Sequence, residues 1–139
     1  MRSGRFHRAT DHSSPVDSWP ALYAALDLTT AIGEMVRARK PGDLRGVRFT
    51  EIEVDLSAVA DCRDPDAVEI DVVRLFADWD FTLGQALAKQ ARADGAEALL
   101  VPSASDLGDN LIVFPDRLRS TSTLTVVRSV DPRLIKDAR

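Results

Sequence analysis

The sequence predicts an α+β fold: one compact domain over residues 1–139, with a mixed β-sheet core and flanking helices. Two patterns and one size argument carry this. Segments with helical spacing of apolar residues are interspersed with short alternating or wholly apolar runs, and no regular strand–helix–strand repeat links them. A chain of 139 residues suits a single core. Its 45% hydrophobic and 29% charged residues are the ordinary mix of a globular protein.

In chain order, residues 11–20 are rich in Ser, Pro and Asp and read as a loop. Asp27 is placed to cap a helix running to about residue 39, where Pro41-Gly42 stops it. Leu28, Ile32, Met35 and Val36 fall at helical spacing and predict a buried stripe. Within residues 47–56, Ile52, Val54 and Leu56 alternate with Glu51, Glu53 and Asp55, as in a strand with one wet face. Residues 61–65 read as a turn-rich break. A helix over 68–79 is expected from Val68, Val72, Leu75, Phe76 and Trp79.

Phe81-Thr82 opens a further helix, with Leu83, Ala86, Leu87, Gln90 and Ala91 on one side and Gly95 as its stop. Residues 98–101 form a buried strand, 102–108 a loop and 111–114 a second strand. Residues 121–130 form an edge strand whose open side would suit a homodimer.

Composition also narrows the function. A net charge of −4 and a pI near 5.1 disfavour nucleic acid or anionic lipid as the main partner. Cys62 is the only cysteine, which excludes an intrachain disulfide and suits the cytoplasm. His7 and His12 without a Cys-x-x-Cys pair give no metal site. The apolar stretches 21–26 and 98–102 fall short of the ~20 residues that span a bilayer, and no secretory segment is seen. No nucleophile elbow or Gly-rich phosphate loop occurs.

Five side chains are candidates for chemistry, each with two readings. Glu34 borders the helical stripe beside Ala31 and Ala38, with Thr30 one turn back; it is a solvated helix glutamate or a carboxylate open to a ligand. Arg5 in Gly4-Arg5-Phe6 is a loose terminal residue or a fork for phosphate oxygens. Tyr23 in an apolar run is core packing or a platform for a planar ring. Ser103 after Pro102, and Asn110 before Leu111, are turn formers or ligand contacts.

These segments together resemble the RES domain family, named for an arginine, a glutamate and a serine. Gly4-Arg5-Phe6 is similar to its arginine segment. Ala21-Leu22-Tyr23 through Gly33-Glu34 is similar to its tyrosine strand and glutamate helix. Residues 96–104 and 109–115 resemble its serine and asparagine segments, so the likeness spans about residues 4–115. The resemblance implies a fold like that of ADP-ribosyltransferase toxins, with NAD as substrate. It also implies a toxin of a toxin–antitoxin pair that degrades NAD by hydrolysis or phosphorolysis, and a helix-turn-helix (Xre-type) antitoxin partner.

Carried over residue by residue, Glu34, Arg5 and Ser103 are the expected catalytic residues. Arg5, Tyr23, Glu34, Ser103 and Asn110 are the expected NAD contacts. A relative that transfers ADP-ribose to a protein, or an inactive binding module, is the alternative. Three departures stand out. Met1 lies only four residues before Arg5, so a first strand of the fold is expected to be missing. A long Arg5–Tyr23 interval makes Arg8 a rival phosphate grip, and His7 replaces a common asparagine.

Overall fold

A computed structural model of the chain describes residue 6 and residues 18–38, 48–64, 81–103 and 108–131, with side chains of the first helix described as far as Met35. The expectations at Arg5, His7, Arg8, the missing first strand and the helix over 68–79 lie outside these residues. The elements in order are β1 (Leu22–Ala25), α1 (Leu28–Ala38), β2 (Phe49–Asp55), β3 (Val59–Asp61), α2 (Thr82–Ala93), β4 (Ala98–Pro102), β5 (Asp109–Val113) and β6 (Thr123–Val130). A 3-10 turn, Pro115–Arg117, follows β5.

Four strands make a mixed sheet in the order β1-β5-β4-β3, antiparallel except for the parallel β3–β4 pair. The α+β class expected from the sequence is the class observed. Side chains of β1, β3, β4 and β5 alternate across this sheet, and each face packs its own cluster. Leu99, Val101, Ile112 and Phe114 point to one face, with Ala88 and Ala91 of α2 and with Phe6 and Trp19. Ala98, Leu111 and Val113 point to the other, against Val54 and Leu124 of the two-stranded β2–β6 sheet.

Local chemistry explains the element ends. Asp27 Oδ1 accepts the Thr30 N–H at 2.8 Å, the expected cap, which stabilises α1 by about 1 kcal/mol. At the other end of α2, Ala96 N–H reaches Ala91 O and Gly95 N–H reaches Arg92 O, at 2.9 and 3.0 Å. This is a Schellman stop, and Gly95 supplies the left-handed residue at φ 90°.

Four expectations need correction. The described part of the α1 stripe is not buried as predicted: Leu28 is 36% exposed, Ile32 and Met35 are half-buried, and among the described side chains of this helix the buried one is Thr30. Helix α2 keeps Leu83, Leu87 and Ala91 of its expected side at the core, but also buries Gly84, Ala88 and Arg92 and leaves Ala86 and Gln90 exposed. Arg92 tolerates burial because Asp116 takes its fork in two bonds of 2.6 and 2.8 Å while Trp19 and Phe114 flank it as rings. The same guanidinium holds the Asp116 carboxyl below the usual carboxylate range. Asp61 belongs to a short strand and not to a break, because Val59–Asp61 pairs with β4. The second strand starts at Asp109, so Asn110 lies in a ladder opposite Ala25 and Val101, not in a turn.

Candidate functional site

The sheet register builds the site. Asn110 shares a face with Ile112 and Phe114, and Tyr23 lies opposite Ile112 on that face. On β4 the same face carries Leu99 and Val101, and Ser103 continues it just past the strand end. Ser103 is held there by its own N–H, which donates to Gly108 O at 2.8 Å and closes the β4–β5 connection. One surface of the sheet therefore runs from a packed core under α2 to a polar end made of Tyr23, Asn110 and Ser103.

Helix α1 brings Glu34 to that end. Ser103 Oγ donates to Glu34 Oε1, and Asn110 Nδ2 donates to the same oxygen at 3.3 Å. The partners lie 69 and 76 residues from Glu34 in the chain. Glu34 is thus half-buried and gripped, which removes the solvated-glutamate reading, and Ser103 is buried. Two donors on one carboxylate oxygen fix its direction, and charge-assisted bonds of this type are about twice as strong as neutral ones.

Tyr23 is 44% exposed, so it is not a core residue. Its hydroxyl accepts the Phe6 N–H at 3.0 Å, and the two rings lie 6.3 Å apart, tilted by 41°. Phe6 is buried, and its carbonyl accepts the Trp19 indole N–H at 2.8 Å. The chain neighbour of Arg5 is therefore fastened to the tyrosine of the site. Arg5 itself lies outside the described residues.

Two residues close to the site were not singled out by sequence reasoning. Thr30, one turn before Glu34 on α1, is fully buried, and its hydroxyl has no hydrogen-bond partner among the described residues. Gly108 packs against it so closely that a Cβ there would overlap Thr30 Oγ1. A β-branched hydroxyl residue one turn before a candidate carboxylate was the only available signal. Among the described residues, no group of three or more His, Cys, Asp or Glu is arranged to hold a metal ion. Likewise no described helix is long and apolar enough to cross a membrane.

Residues 1–134 match the family described as the RES domain, and the chain belongs to it. Among solved structures it is similar to a chain of the M. tuberculosis MbcT-MbcA toxin-antitoxin complex, with 26% identity and a TM-score of 0.72. The likeness covers 96% of this chain and 75% of that one. No curated protein matches.

Proposed function

We propose that this chain, read as one RES domain over residues 1–139, is a toxin of a toxin–antitoxin pair that cleaves the nicotinamide–ribose bond of NAD. One observation carries the reading: Glu34, Ser103 and Asn110, far apart in the chain, meet at one carboxylate oxygen. Family membership and the likeness to a toxin–antitoxin complex support it. A helix-turn-helix (Xre-type) antitoxin is the proposed partner, and the cytoplasm the proposed location.

The chemistry follows from the substrate. Nicotinamide leaves NAD as a neutral molecule, taking the electron pair of the C–N bond, so no strong general acid is required. The barrier is the positive charge that builds on the ribose, as in other glycosidic cleavages. Glu34 beside the ribose stabilises that charge and holds a ribose hydroxyl. A preorganised group of this kind contributes about 10²–10³ in rate. Ser103 and Asn110 keep the carboxylate aimed and border the ligand. Tyr23 faces the nicotinamide ring, and Arg5 clamps the pyrophosphate, which contributes through orientation. Water or phosphate then adds to the ribose carbon.

The test is release of nicotinamide from NAD by purified protein, with Glu34→Ala and Arg5→Ala as comparisons. Release by the wild type that both variants lose is the expected result. A folded wild type that releases none overturns the reading. Radiolabel transferred from NAD to a protein would redirect it to ADP-ribosyl transfer.

A further inference from the structure

We propose that Gly108 is a positioning residue for Glu34, acting as a spacer between α1 and the polar end of the sheet; this rests on the reading that Glu34 carries the chemistry. Gly108 is pinned on both sides. Its carbonyl accepts the Ser103 N–H at 2.8 Å, and the next carbonyl, Asp109 O, accepts the Leu26 N–H at 3.0 Å. Strand β5 begins at the following residue, so the glycine cannot drift from the sheet.

What faces it is α1. A Cβ built on Gly108 would overlap Thr30 Oγ1 and stand 3.3 Å from Asp27 Oδ2 and 3.5 Å from Thr30 Cβ. Asp27 is itself engaged in capping the Thr30 N–H. The contact is steric and not conformational, because among the described glycines the left-handed backbone is used by Gly95 and not by Gly108. Glycine is therefore needed here for space.

Thr30 and Glu34 are one helical turn apart and share a face of α1. Whatever sets the gap at Thr30 also sets the gap across which Ser103 Oγ and Asn110 Nδ2 reach Glu34 Oε1. The buried Thr30 hydroxyl, which has no hydrogen-bond partner among the described residues, fits this role. Its position is dictated by close packing and not by a bond of its own. A methyl at residue 108 moves α1 outward, and both donors lose the carboxylate.

The experiment compares Gly108→Ala, the pair Gly108→Ala with Thr30→Ala, and the pair Gly108→Ala with Thr30→Val. Alanine at 30 deletes the atom in the way, and that atom has no hydrogen bond to lose among the described residues. Valine keeps a carbon in its place. Two readouts are followed: kcat and KM for nicotinamide release, and the NMR signals of the Asn110 side-chain amide. Gly108→Ala should lower kcat by about 100-fold, the scale of a misplacement near 1 Å, with KM changing far less. The Asn110 amide signals should move toward those of a solvated amide. Thr30→Ala should restore both and Thr30→Val neither.

The amide signals keep this test separate from the NAD reading. Should the wild type not cleave NAD while the amide follows the pattern, the spacer role stands and the activity falls. An amide unmoved by Gly108→Ala, or moved and not restored by Thr30→Ala, overturns the spacer. Should Gly108→Ala fail to fold alone, recovery of folding and of the wild-type amide signals in the Thr30→Ala pair supports the proposal. Failure of that pair as well overturns it.

Discussion

Glu34 and Glu97 are two glutamates beside the same sheet, each gripped by groups distant in the chain, and the grips differ in kind. Glu97 is fully buried at the start of β4. Its carboxylate accepts three backbone N–H groups: Ser57 at 2.8 Å, Ala58 at 3.0 Å and Arg119 at 2.9 Å. Those groups lie in the connection between β2 and β3 and ahead of β6. One carboxylate thus ties the two-stranded sheet to the four-stranded one. Among the described residues, Glu34 instead accepts the side-chain donors Ser103 and Asn110 and stays half-buried. A carboxylate spent on backbone donors holds the fold together. One aimed by side chains and left within reach of solvent is arranged for a ligand.

The contrast can be broken by exchanging each acid for its amide, and Glu97→Gln should have the larger effect on stability. The amide nitrogen would face backbone donors, leaving a buried N–H without an acceptor. The unfolding midpoint should fall well below the wild type, whereas Glu34→Gln should leave it nearly unchanged; equal midpoints for the two variants contradict the assignment. Acid sharpens the point. The nearby Ser122 hydroxyl and the backbone N–H groups of Arg119, Ser57 and Ala58 draw the Glu97 carboxyl from 4.5 down to about 2. A depressed carboxyl contributes stability that is complete above its unfolded value and lost as pH falls through the folded one. The wild type should therefore lose stability between about pH 4.5 and pH 2, and Glu97→Gln should show a shallower acid slope in chemical denaturation.

Smaller effects are expected at the donors. Ser103→Ala should slow nicotinamide release about 10- to 100-fold, the scale of a hydrogen bond to a charged group. Asn110→Ala should cost less, about tenfold, because its bond is the longer of the two at 3.3 Å. The reverse order in kcat would show that Asn110, not Ser103, aims the carboxylate. Least of all, Asp27→Ala removes one helix cap and should lower stability by about 1 kcal/mol, read from denaturant midpoints.

How far the sequence reveals these features depends on the range of the interactions behind them. Asp27 and Gly95 were legible because a cap and a Schellman stop are settled within a few residues. Glu34, Ser103 and Asn110 could be named from their flanks, but their meeting at one oxygen could not, since it depends on the β1–β5–β4 register and on where α1 docks. Glu97 was hidden because a glutamate between Ala96 and Ala98 looks like one wet position in a strand, while its backbone donors lie 22 to 40 residues away. Part of the face of α2 was misread for a similar reason. Arg92 is buried only because Asp116, 24 residues on, takes its fork. The strand at Val59–Asp61 is three residues long and leaves no period to detect.

The most direct test of the account is the rate of NAD cleavage by folded Glu34→Gln beside the wild type, with circular dichroism confirming equal structure. The predicted outcome is cleavage by the wild type and a loss of about 10²–10³ in the variant. Equal rates in the two proteins would contradict it, and would return Glu34 to the same structural role as Glu97.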